Sequence, residues 1–187
     1  MVFRAAICGI LLPPLLLSAC EKTATVTTEN KSNASIVAEV GDQARRMDKG
    51  EVWVKEFDLG RRWLVFGPGD KTVEVRANGK WVRSYYRALS LTADGNGVAD
   101  VRSNAGILRI ENRAENTIDS VSVIAKTDTT FRGNWLKEPI EPGRTGDVVV
   151  WAGEWQALIV DVSGASEKVP GITIRIEEVR LYAYHGF

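Results

Sequence analysis

The chain has 187 residues, 44% of them hydrophobic, and carries 24 lysines and arginines against 24 aspartates and glutamates. That is enough apolar material to bury a globular core. Zero net charge supplies no cationic field to displace counterions from phosphates, so a nucleic-acid partner is not expected.

In chain order, targeting comes first. Arg4 precedes an apolar stretch from Ala5 to Leu17. As a helix this stretch would be about 20 Å long, short of the ~30 Å bilayer core. Pro13 and Pro14 would also break a spanning helix. Residues 1–19 therefore read as a cleaved signal peptide. Leu17-Ser18-Ala19-Cys20 resembles the lipobox of bacterial lipoproteins, where leucine and two small residues lead to a cysteine that becomes lipidated. The resemblance implies acyl chains on Cys20 and a lipid bilayer as partner. Two or more acyl chains anchor durably where one is marginal. Cys8 leaves with the leader, so Cys20 is the single cysteine of the mature chain and no internal disulfide is expected. Glu21 stands where enterobacterial lipoproteins carry an aspartate resembling an inner-membrane retention signal, which implies an address in the cell envelope at the outer membrane.

Residues 20–50 are expected to hold the lipidated cysteine and a tether. Glu21 to Asn33 is rich in Thr, Asn, Glu and Lys, with little to bury. Ile36, Val40, Ala44 and Met47 fall at near-helical spacing, while Ser35 to Val40 also fits a strand; the sequence leaves both open.

From residue 51 to 187 the pattern predicts one antiparallel β-sandwich. In Lys71–Ala77, Val73, Val75 and Ala77 alternate with Thr72, Glu74 and Arg76. Asn78-Gly79 suits a type I′ turn, with Trp81–Leu91 returning as the partner strand. Further strands are expected at Val52–Leu59, Arg62–Phe66, Val98–Arg102, Gly106–Glu111, Ser120–Ala125, Val148–Trp151 and Trp155–Val162. Many short strands with frequent turn signals argue for a sandwich or barrel. At the C-terminus Ile172, Ile174 and Ile176 share one phase and Val179, Leu181 and Ala183 the other, so a β-bulge is expected at Glu177-Glu178. The runs WQALIVDVSGASEK and ITIRIEEVRLYAY resemble the closing strands of galactose-binding-like, discoidin-type jelly rolls. That resemblance implies a noncatalytic domain that binds ligands through loops at one end.

Two candidate sites emerge. Asp94, Asn96 and Asp100 place oxygen ligands along a Gly-rich loop that could wrap a structural calcium, although Val98 and Ala99 stand where a calcium loop wants an oxygen and a glycine; a plain turn is the alternative. Six tryptophans are many for this length. Trp53, Trp63 and Trp81 lie in strand patterns and read as core. Trp135 lies in the irregular stretch Thr127–Thr145 with Phe131, Arg132 and Asn134; long connections of this kind are often functional. With Trp151 and Trp155 these form the candidate ligand-binding set, tryptophan faces being suited to sugar rings and protein anchors. The alternative for Trp135 is a plug folded over the sandwich edge.

Catalysis is not expected. His185 is the single histidine and sits near the end of the chain, an acylated Cys20 leaves no thiol, and Glu177 and Glu178 point to opposite faces of a strand. The expected function is a lipid-anchored, noncatalytic sandwich that binds carbohydrate or another envelope polymer without a cofactor. The alternative is an accessory or assembly lipoprotein that docks an envelope protein.

Overall fold

The structure, a computed structural model, describes residues 21–61 and 70–186. The signal peptide, Cys20, Trp63 and the strand expected at Arg62–Phe66 lie outside the described residues. The all-β expectation holds, with thirteen strands among the described residues.

The first seven are β1 (Glu21–Asn30), β2 (Ile36–Val40), β3 (Gln43–Met47), β4 (Val52–Arg61), β5 (Lys71–Gly79), β6 (Tyr85–Leu91) and β7 (Asn96–Val101). They form sheets ordered β4-β1-β7 and β3-β2-β5-β6 around a core that includes Val26, Ile36, Met47, Val75 and Leu91. The next six are β8 (Ala105–Asn112), β9 (Ile118–Ala125), β10 (Thr145–Trp151), β11 (Gly153–Asp161), β12 (Ser166–Ile174) and β13 (Val179–Tyr184). Their sheets, β10-β8-β13 and β12-β11-β9, enclose a second core with Leu108, Ile110, Ile159, Ile174 and Tyr184. The single sandwich expected over 51–187 is thus replaced by two, the first drawing its opening strands from the residues read as a tether.

The two halves share one plan. In each, the first strand is central in a three-stranded sheet, antiparallel to one neighbour (β4 or β10) and parallel to the last strand (β7 or β13). That parallel pairing departs from the antiparallel order of a jelly roll. The halves also share a corner. Glu29-Asn30-Lys31 and Ser35-Ile36 match Glu111-Asn112-Arg113 and Thr117-Ile118 at the same spacing. Asn30 Nδ2 donates to Ala34 O at 2.8 Å and Met47 O at 3.1 Å; Asn112 Nδ2 donates to Asn116 O and Ile140 O, both at 2.8 Å. The backbone repeats too: Lys31 N donates to Val101 O, and Arg113 N to Tyr184 O, each at 2.8 Å. Each Asn ties the end of the first strand to the neighbouring segments by adding a bond to their carbonyls.

The tether expectation fails for a physical reason. The inward side chains of β1 are Ala24, Val26, Thr28 and Asn30, all buried. A small, half-polar inward set carries little period-2 hydrophobic signal. Of the alternatives at 35–47, the strand is realised: Ile36 and Val40 are buried on β2, while Ala44 is exposed on β3.

The β5–β6 hairpin forms with Val73, Val75 and Ala77 inward, but without a two-residue turn. Ala77 pairs with Tyr85, and the connection runs to Ser84, which turns at φ 49°. Gly79 is needed because β2 crosses it closely: a Cβ there would lie 2.8 Å from Ser35 O.

The bulge at Glu177-Glu178 is also corrected. The chain turns there, with Glu177 at φ 62°, and leaves one sheet for the other. Ile172 and Ile174 face the core from β12, whereas Val179 and Leu181 on β13 are 42% and 55% exposed. The phase change marks a sheet crossing.

Candidate binding site at the junction of the two sandwiches

Between β7 and β8 the chain passes through Asn104, which fastens three segments together. Its N–H donates to Trp81 O at 3.0 Å, and its carbonyl accepts Ala152 N–H from the β10–β11 turn at 3.0 Å. Its side chain clamps Arg83 on both sides: Oδ1 accepts Arg83 N–H at 2.8 Å, and Nδ2 donates to Arg83 O at 3.1 Å. The β5–β6 connection is further held by Ser84 N donating to Asn78 Oδ1 at 2.8 Å. Arg83 is thereby aimed from the first sandwich into the second.

There it meets three tryptophans. The guanidinium lies 3.9 Å from the ring centre of Trp135 and 4.8 Å from that of Trp151. Its Nη1 donates to Val149 O. Trp151 and Trp155 are stacked at 6.3 Å with 23° between planes, and Trp135 meets Trp151 edge-on at 6.2 Å. Both stacked indoles are fixed by their N–H groups, Trp151 donating to Arg83 O at 3.0 Å and Trp155 to Trp151 O at 2.9 Å. All three rings are half-buried. Burial lowers the Arg83 pKa from its ordinary value, yet an arginine remains cationic in a protein, so the contact is a cation–π clasp. Arg83 Nε is buried and has no hydrogen-bond partner. Glu177 seals another side of the junction by accepting Ser103 Oγ at 2.5 Å and Asn33 Nδ2 at 2.6 Å, and these bonds hold its carboxyl below the usual range.

A cleft of about 480 Å³ lies between the 136–140 loop and β10, with Lys80 in its lining, and it meets the clasp at Val149, whose carbonyl Arg83 bonds. Ile107, Leu136 and Lys137 also line the cleft.

The structure divides the six expected ligand-binding residues. Trp135, Trp151 and Trp155 come together. Asn134 locks the loop: Oδ1 accepts Val121 N–H and Leu136 N–H, while Nδ2 donates to Asp119 O. Phe131 lies instead against Lys168, 5.7 Å away, and Arg132 lies exposed beside Thr127–Thr130. Trp135 is neither free anchor nor simple plug, since it packs on the second core with one face against Arg83. Trp53 is buried in the first core, as expected.

The three calcium candidates do not converge. Asn96 and Asp100 lie on the extended strand β7. Asp94 binds Lys22 and Asp100 binds Lys31, each at 2.7 Å, while Asn96 Oδ1 accepts the hydroxyls of Thr25 and Thr27. Among the described residues no cluster of three His, Cys, Asp or Glu side chains is placed to hold a metal. Arg83 and Asn104 escaped the sequence reading because Arg83 sits inside the run taken as a strand, and a lone Asn between strands carries no distinguishing pattern.

No protein family matches the chain, and no curated protein matches it. Among solved structures, the chain is similar to the Bacillus anthracis TIE protein, at 8% identity and a TM-score of 0.35 over 89% of this chain and 34% of that one. It thus spans about a third of that protein. It is also similar to the minor pilin of Streptococcus agalactiae, at 8% identity and TM-score 0.33, with 87% and 95% covered. The major pilin of Streptococcus pyogenes gives 8% identity and TM-score 0.26, with 88% and 98% covered.

Proposed function

We propose that this chain is a noncatalytic protein of the bacterial cell envelope, lipid-anchored at Cys20 in the outer membrane, that binds a carbohydrate or other envelope polymer at the junction of its sandwiches. The observation that carries the reading is the convergence of Trp135, Trp151 and Trp155 beside a cleft, with the stacked pair held by its own N–H bonds. Rings fixed in advance lose little entropy when a sugar stacks on them. Arg83 lies over both Trp135 and Trp151, so Trp155 is the platform and the other two rings its support.

The test is tryptophan fluorescence titration of the mature chain with envelope polysaccharides. A saturable emission change is expected. Trp155→Ala should weaken binding by about 2 kcal/mol, the scale of an interface anchor. No emission change with any polymer, or unaltered affinity in the variant, would remove the glycan reading.

The accessory reading, in which the chain docks another envelope protein, draws on β13. This strand ends its sheet and exposes Val179 and Leu181, features suited to a partner strand pairing along the edge. A photo-crosslinker at Leu181 that captures one envelope protein in cells, with no polysaccharide response, would select it.

A further inference from the structure

We infer that the end of the first sandwich where β1 begins rests directly on the lipid headgroups, with no tether between anchor and domain. This inference rests on the proposed lipid anchor at Cys20. β1 starts at Glu21, the next residue, and Glu21 is already in register with Arg61 of β4. A flexible tether of thirty residues would let the domain stand off by about 30 Å, whereas this strand leaves no slack.

Register identifies what else lies at that end. The β2–β3 turn at Gly41-Asp42 is there, because a Cβ on Gly41 would lie 3.3 Å from the ring of Phe57, which pairs with Ala24 near the start of β1. So is the β6–β7 turn, where Asp94 N donates to Thr23 O at 2.9 Å and Thr25 N to Gly95 O at 3.0 Å. The start of β5 is there too, Lys71 pairing with Leu91.

The chemistry of this end suits the headgroup layer. Lys22 is paired with Asp94 at 2.7 Å and Lys55 with Asp42 at 2.6 Å. Lys55 and Lys71 lie 5.0 and 5.3 Å from the ring centre of Phe57. Lys22 and Lys55 are each matched by a carboxylate, so these two pairs ask for no anionic lipid, and the contact is enforced by the acyl chains.

β7 runs parallel to β1 and hands the chain to the second sandwich at the opposite end of the first. A ten-residue strand spans about 33 Å. The Arg83–tryptophan junction is therefore presented roughly one sandwich length above the membrane, with the second sandwich beyond it.

The experiment uses the mature acylated protein in phosphatidylcholine vesicles. Cys20 is consumed by the lipid, so a single engineered thiol can be labelled with a fluorophore at Asp42→Cys, at Ala93→Cys or, at the remote end, at Glu115→Cys. Flotation is measured first, then quenching by a nitroxide attached to the lipid headgroup. Quenching severalfold stronger at 42 and 93 than at 115 is expected. Protein that floats but is quenched no more at 42 and 93 than at 115 would overturn the inference and leave the anchor intact. Protein that fails to float would remove the anchor and the orientation with it.

Discussion

Replacing Asn112 with alanine is expected to destabilise the second sandwich by about 3–5 kcal/mol, from the loss of several bonds to buried groups. Asn112 is fully buried. Its Nδ2 serves Asn116 O and Ile140 O, and its Oδ1 accepts Ala114 N–H at 3.0 Å. Ile140 O keeps one partner in Ile118 N–H, which holds the cost below the sum of three orphaned groups. Alanine is too short to reach any of them, and water has little access to the corner. A loss of this size is a large share of a typical ~5–15 kcal/mol stability. Asn30→Ala should act in the same way on the first sandwich, where Met47 O and Ser32 N–H lose a bond while Ala34 O keeps the Ser32 hydroxyl. Calorimetry of the two variants would show which part of the transition each one lowers. If Asn112→Ala melts like the parent, the corner is not structural.

Arg83→Ala is expected to loosen the junction while leaving both cores folded. The guanidinium supplies cation–π contacts of about 0.5–2 kcal/mol and a charged hydrogen bond of about 1.5–3 kcal/mol. Part of this is offset by the cost of burying the charge with Nε unpaired. A net loss on the order of 2–3 kcal/mol in the coupling between sandwiches follows. Trp135 and Trp151 would lose the cation across their faces, so tryptophan emission should shift to the red and the near-ultraviolet circular dichroism of the stacked pair should weaken. Arg83→Lys should rescue little, because an ammonium cannot lie flat on one ring while bonding Val149 O as the planar guanidinium does. Unchanged emission and unchanged melting in Arg83→Ala would show that the sandwiches are joined by other means.

The all-β class was legible where inward positions are large and aliphatic. Val73, Val75 and Ala77 on β5, and Ile107, Leu108 and Ile110 on β8, announce their strands. β1 was not legible, because Thr28 and Asn30 occupy half of its inward positions and read as solvated. The duplicated corner was visible in principle. Glu-Asn, a basic residue, and a hydroxyl residue followed by Ile recur at matching spacing in 29–36 and 111–118, and self-comparison of the chain would have given two domains. The sheet crossing at Glu177 could not be separated from a bulge by periodicity, since both reverse the phase of the inward set. At the site, tryptophan counting picked out the three rings that come together, but their packing around Arg83 depends on Asn104 holding that residue across from the first sandwich. That is a long-range geometry with no local sequence signature.

The most direct test of the account is the chemistry of the mature N-terminus. Protein expressed from the full chain and extracted from bacterial membranes should yield, by intact-mass and peptide analysis, a chain that begins at Cys20 and carries diacylglycerol and an amide-linked acyl group. The Cys20→Ser protein should lack both and remain as precursor or appear in the soluble fraction. A mature chain that begins elsewhere without lipid, or a Cys20→Ser protein processed and membrane-bound like the parent, would contradict the account.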